Sequence, residues 1–240
     1  KHEIRIVPSK YNPSNPFSEI KVYYGIGPNK VMSSPLNFGE KDPIKELSDK
    51  LKENYDKENY TIAKKLEPKT RYFVPVVVRG EEDKGVRLWQ FGKSIYEELL
   101  NMAIDDEVGD FTDIMNGRDM KLNTVGPEST GTAYNKTTIQ PKLTISKLSK
   151  NKEEVELWLE EQPNPIDTFK RYPFDEMKAS LSKWLEPDEA EDKTEEEEDD
   201  MNLDRKAPKA KYDLKGAPKV TKEDEWTEIF KENEDSETDV

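Results

Sequence analysis

The segment Val86-Arg87-Leu88-Trp89-Gln90-Phe91 sets one cation and two large rings at alternate positions. Side chains alternate across an extended strand, so Val86 and Leu88 share one face and Arg87, Trp89 and Phe91 share the other. A half-buried strand ordinarily turns plain polar groups toward water. Flat rings beside positive charge suit another chemistry, the binding of a single-stranded nucleic acid. Phosphates need cations, and each unpaired base offers a flat face whose stacking contributes ~1–3 kcal/mol. The same mixture continues through Tyr55, Tyr60, Lys64, Lys65 and Lys69-Thr70-Arg71-Tyr72-Phe73 before the segment, and Lys93 after it. Lys121, Tyr134, Lys136 and Lys142 are later candidates, and Arg5 and Lys10 flank the end of the first apolar run. A second reading stays open, because rings interleaved with snorkelling lysines also make an ordinary core. Some rings are core in either case, Phe91 first among them because it abuts a helix start.

The elements that must position these residues are mainly strands. Glu3–Val7 is a short β run closed by Pro8, and Phe17–Ile26 alternates with Ile20, Val22 and Tyr24 on one side. Val31–Ser33 reads as its returning partner. Arg71–Val78 is the most apolar β segment, and Pro75 inside it predicts an edge or a bulge. Val86–Phe91 pairs with it across the polar loop 80–85. Asp119–Thr124 and Pro141–Leu148 are later strands, separated by the Gly- and Thr-rich loop Gly126–Thr138. Helical spacing marks Pro43–Glu53 (Ile44, Leu47, Leu51), Lys93–Ala103 (Ile95, Leu99, Met102), Lys152–Glu160 and Asp175–Leu185. Short strands, few helices and long polar loops predict a mainly β fold, an OB-type five-stranded Greek-key barrel. A β-sandwich competes on pattern alone.

Charge divides the chain. Residues 1–150 hold 24 Lys and Arg against 22 Asp and Glu, whereas residues 151–240 hold 14 against 30. The net charge of −14 therefore belongs to the second part, and the acidic balance does not exclude nucleic-acid binding by the first. We read 1–150 as the barrel, 151–185 as a helical extension packing on it, and 186–240 as an acidic, disordered tail. Within the tail, 223–231 carries Trp226, Ile229 and Phe230 as one apolar face, the pattern of a short docking helix for a partner protein. No apolar run approaches the ~20 residues that cross a bilayer, so no membrane partner is expected. The sequence has no cysteine and one histidine, His2, which removes thiolate chemistry and zinc sites. It has no P-loop and no G-x-S-x-G, and no enzyme is expected. The carboxylates Asp105, Asp106, Glu107 and Asp110 read as a solvated loop rather than a Mg²⁺ site.

At this point the residues resemble a known family, the single-stranded DNA-binding, helix-destabilising replication proteins of T-even-type tailed phages. The resemblance rests on Ile4-Arg5-Ile6-Val7-Pro8-Ser9-Lys10, Pro16-Phe17 with Ile20-Lys21-Val22, Lys69-Thr70-Arg71-Tyr72 with Val76-Val77-Val78, and Gly85 through Lys93. The order and spacing hold over about residues 3–148. It implies an OB fold that binds single-stranded DNA with little sequence preference and coats strands in replication, recombination and repair. Carried over by position, Tyr60, Tyr72 and Trp89 are DNA-contacting aromatics, joined by Tyr55 and Tyr134. Lys64, Lys65 and Arg71 fall in the family's basic stretch, and Arg87 and Lys93 flank the ring-bearing strand.

Two departures accompany the resemblance. The family prototype holds a structural zinc on His and Cys ligands. Here the histidine position is Tyr24, and the thiolate region, Val31–Glu46, has no cysteine. The resemblance thus implies a member without zinc and without any cofactor, in which the Ile44/Leu47/Leu51 helix replaces metal binding by apolar packing. The chain also starts at Lys1 rather than Met, reads as part of a longer protein, and shows no basic arm ahead of its first strand. Self-association on DNA stays open as a partner interaction. The tail, tethered near a cationic groove, can compete with DNA for it and recruit replication and recombination proteins once displaced. The expected setting is the cytoplasm of a phage-infected bacterium. The alternative from another class is an acidic scaffold protein of the replication machinery with no DNA affinity of its own.

Overall fold

Strand β4 (Lys69–Val78) is the axis of the molecule, because among the described residues it is the only strand bonded to three others. A computed structural model describes residues 1–26, 31–53, 56–131, 133 and 135–185. The expectations for Tyr55, Tyr134 and the segment from 186 onward, Trp226, Ile229 and Phe230 included, lie outside the described residues.

All pairings are antiparallel. Along one edge of β4, residues 69–73 bond to β2 (Ser18–Tyr24) and residues 76–78 to β1 (His2–Ile6). Along the other edge, 72–76 bond to β5 (Arg87–Phe91). β3 (Val31–Ser33) extends the sheet beyond β2, and β6 (Gly117–Val125) and β7 (Lys136–Ser146) extend it beyond β1. Pro75 sits neither at an edge nor in a bulge. It lies where β4 passes from β2 to β1, and its carbonyl accepts from Val7 N at 2.9 Å across that gap. Its absent N–H points to the same gap, so no ladder bond is lost. β7 starts earlier than expected, at Lys136, and the ladder slips between Arg118 and Met120.

Alternation along β4 divides the packing. Tyr72, Val74 and Val76 join Ile4, Ile6, Phe91, Met120 and Leu122 in an inner cluster. Helix α1 (Pro43–Glu53) and α2 (Lys57–Lys65) precede β4, and α3 (Lys93–Ala103) follows β5. Ile95 and Leu99 of α3 close the inner cluster, and the helix contacts both β4 and β7. On the other face, Phe73 packs with Ile20, Val22 and Leu88, beneath Phe169. After the short α4 (Pro127–Thr130), α5 (Lys152–Glu160) buries Trp158 against Val7, Val77 and Leu148. α6 (Phe174–Leu185) buries Met177 and Leu181 against α1 and α2. α2 is a helix the sequence analysis did not anticipate. Asp56 caps it, accepting from Glu58 N at 2.7 Å and Asn59 N at 3.2 Å.

Arg5 corrects an expectation. It is fully buried, not a surface cation beside the strand end. Its guanidinium donates to Asp119 Oδ1 at 3.3 Å, to the carbonyls of Asp113 and Ser146 at 2.8 Å each, and to Ser146 Oγ at 3.1 Å. Arg79 reaches the same Asp119 oxygen at 2.8 Å. Gly117 leaves the necessary room, since a Cβ there would stand 2.4 Å from Arg5 Nη2. Among the described residues, no helix is long and apolar enough to cross a membrane.

Candidate nucleic-acid interface

Four rings form a connected series over β5, β4 and α3. Trp89 lies 4.5 Å from Phe91, tilted by 45°. Phe91 stands opposite Tyr72 in the ladder, with their rings near-parallel at 6.3 Å. Tyr72 stacks on Tyr96 of α3 at 3.9 Å and 10°. The two middle rings, Phe91 and Tyr72, are buried, while the terminal rings, Trp89 and Tyr96, are half-exposed. Tyr72 therefore has two near-parallel neighbours, and Phe17 meets both of them edge-on, Phe91 at 6.2 Å and Tyr96 at 5.2 Å. Burial, followed by the charges of Glu19 and Glu97, raises the Tyr72 phenol above its ordinary range. Tyr96 was not singled out from the sequence. Its signal was an aromatic one position past Ile95, at the margin of the apolar stripe of α3.

The expected cations surround this series unevenly. Arg87 shares the face of Trp89 and pairs with Glu81 at 2.7 Å. Lys93, at the start of α3, is exposed and 3.4 Å from Glu97. Arg71 belongs to the opposite face of β4, with Phe73, where its Nε donates to Tyr24 Oη at 2.6 Å. Tyr60 and Lys64 sit on α2, apart from the ring series. Tyr60 is 50 % exposed, with Lys64 Nζ 5.5 Å from its ring centre. Lys64 also pairs with Glu67 at 3.4 Å, and that hydrogen bond, ahead of the Tyr60 contribution, raises its pKa. Lys65 is half-buried on the same helix. Lys121 is exposed on β6, opposite Glu3 and Gln140. The structure thus joins Tyr72, Trp89 and Arg87 on one face and sets Arg71, the α2 group and Lys121 elsewhere. Lys142, a later candidate, is engaged by Glu3 at 2.6 Å.

Rings with half-exposed ends, bordered by cations, can bind a flexible polyanion with flat bases, and comparison with known proteins points the same way. The family model for gp32 DNA binding protein like domains matches residues 1–186. The chain belongs to this family. No curated protein matches it. The match agrees with the resemblance to the T-even-type phage proteins, and it spans every described residue of the interface. Family membership makes this a DNA-binding domain.

The resemblance also implies a zinc in the prototype, and the residues here do not fit one. The sequence has no cysteine, and its single histidine, His2, lies on β1. In the region of the implied ligands, Asp42 is buried and fully used by protein donors. Its Oδ2 accepts from Tyr23 Oη at 2.8 Å and from Ser34 Oγ, and its Oδ1 accepts from Ile44 N at 3.0 Å and Lys45 N at 3.1 Å. Burial, with Asp42 beside it, pushes the Tyr23 phenol far up. Around this knot pack Met32, Ile44, Leu47 and Leu51.

Proposed function

We propose that the chain binds single-stranded DNA with little sequence preference and coats exposed strands during phage DNA replication, recombination and repair in the infected bacterial cytoplasm. The reading rests on one observation, the aromatic series whose half-exposed ends are Trp89 and Tyr96, with Arg87 and Lys93 beside it. Trp89 and Tyr96 offer the stacking faces, and Tyr72 and Phe91 back them. Lys64, Lys65, Arg71, Lys121 and Tyr60 supply further contacts as the strand passes over β4, α2 and β6. The strand order β5-β4-β1-β6-β7, with α3 between β5 and β6, supports an OB-type Greek-key barrel for residues 1–150, with 151–185 packed on it. Residues 186–240, acidic and beyond the family match from 187 onward, serve as a competitor for the DNA surface and a recruiter of other replication proteins.

Titration with short single-stranded oligonucleotides, read by tryptophan fluorescence, tests this. Quenching is expected at low salt. Each phosphate contact should contribute a slope of about −0.7 in log affinity against log salt, so about five contacts and a fourfold rise in salt give a roughly 100-fold loss. An unchanged signal at low salt removes the proposal. Repeating the titration without residues 186–240 should show tighter binding, and equal affinity would dismiss the tail as competitor.

Trp89→Ala should weaken binding by about 1–3 kcal/mol while far-ultraviolet circular dichroism stays that of the folded chain. Full-strength binding by this variant would move the stacking site away from β5.

A further inference from the structure

The described arginines divide sharply by what holds them. Arg5 and Arg79 share Asp119, Arg87 pairs with Glu81, and Arg171 pairs with Glu40. Arg118 donates to the carbonyls of Glu107, Val108, Lys142 and Leu143. Arg71 alone is held by a neutral phenol. Its Nε donates to Tyr24 Oη at 2.6 Å, and its guanidinium carbon lies 5.1 Å from the Tyr24 ring centre. Among the described residues it makes no ion pair. Nη1 faces Gly92, where a Cβ would come within 3.3 Å of it.

This arrangement fixes the guanidinium without neutralising it. A carboxylate partner would have to be displaced before Arg71 could take another anion, and that displacement costs Coulomb energy. A phenol adds no charge. It occupies Nε and leaves the two Nη groups open, the pair that grips a phosphate bidentately. Register explains how Tyr24 reaches Arg71. Ile20 stands opposite Arg71 in the β2–β4 ladder, and Tyr24 follows on the same face of β2.

We infer that Tyr24 is a positioning residue for DNA binding, holding Arg71 with its terminal nitrogens free to clasp a phosphodiester of the bound strand. The inference rests on the proposed function and adds to it a residue that carries no charge of its own. It also gives a use to the position where the resemblance implies a metal-binding histidine.

A double-mutant cycle on the full chain tests it, with an oligothymidylate as probe. Tyr24→Phe keeps the ring and removes only Oη. It should weaken binding roughly 3- to 10-fold and flatten the salt slope by up to ~0.7, with an unchanged thermal midpoint. In an Arg71→Ala background the same change should cost nothing further. Equal losses in the presence and absence of Arg71 would overturn the inference, as would a Tyr24→Phe protein that binds like wild type. A wild-type chain that ignores the oligonucleotide at low salt would overturn the proposed function along with it, which separates the two failures.

Discussion

Asp119→Ala is expected to destabilise the protein by about 3–5 kcal/mol, the cost of removing one partner from a buried ion pair. Asp119 is the shared anion of Arg5 and Arg79, at 3.3 and 2.8 Å. The Arg5 side chain is wholly inaccessible, and burial lowers its pKa, with the Asp119 charge the largest opposing influence. Without the carboxylate, that desolvation stands unrelieved. The Asp113 and Ser146 carbonyls still accept from Nη2, but they carry no full charge. Three strands meet at this point, since Arg5 is on β1, Asp119 on β6 and Ser146 on β7. Urea unfolding followed by circular dichroism measures the loss. A change below about 1 kcal/mol would mean that the carbonyls suffice. Replacing Arg5 by Met together with Asp119 by Leu should recover part of the stability, because the buried charge leaves with its partner.

The Arg5 site also shows where a sequence stops being informative. Arg5 and Asp119 are separated by 114 positions, and nothing local to either marks them as partners. Within one element the pattern was far more legible. Helical spacing located α1, α3 and α5 at the bounds they have in the structure. Alternation along β5 correctly put Trp89 and Phe91 on one face and Leu88 on the other. What alternation does not carry is which face stays wet. That depends on α3 lying over one face of the sheet and Phe169 over the other, both placed by long-range packing. Tyr72 is buried and Tyr96 presented for the same reason. α2 was overlooked because its Tyr60, Lys64 and Lys65 drew attention as charge and ring, while Asp56, Ile62, Ala63 and Leu66 held the cap and apolar stripe of a helix. Tyr24 could be located on a strand face from sequence, but its bond to Arg71 needed the β2–β4 register.

Leu181→Ala should cost about 2–5 kcal/mol, the range for a buried leucine that leaves a cavity behind. Leu181 is fully buried, together with Met177 from the same helix, among Ile44, Leu47 and Leu51 of α1 and Ile62 and Leu66 near α2. α1 and α6 are in direct contact. This cluster occupies the part of the chain where the resemblance implies a metal, and apolar packing, the Asp42 knot and the buried bond from Ser48 Oγ to the Ala63 carbonyl hold it together. Two measurements follow from that physical difference. Thermal unfolding of Leu181→Ala should fall well below wild type, with proteolysis reaching α6 first as the helix loses its anchor. Wild type dialysed against a strong chelator should keep its midpoint, since these elements carry no cysteine or histidine to ligate zinc. A midpoint that drops with chelator and returns with zinc would show that the subdomain is metal-held after all. A Leu181→Ala protein as stable as wild type would show instead that α6 contributes little to the packing of α1 and α2.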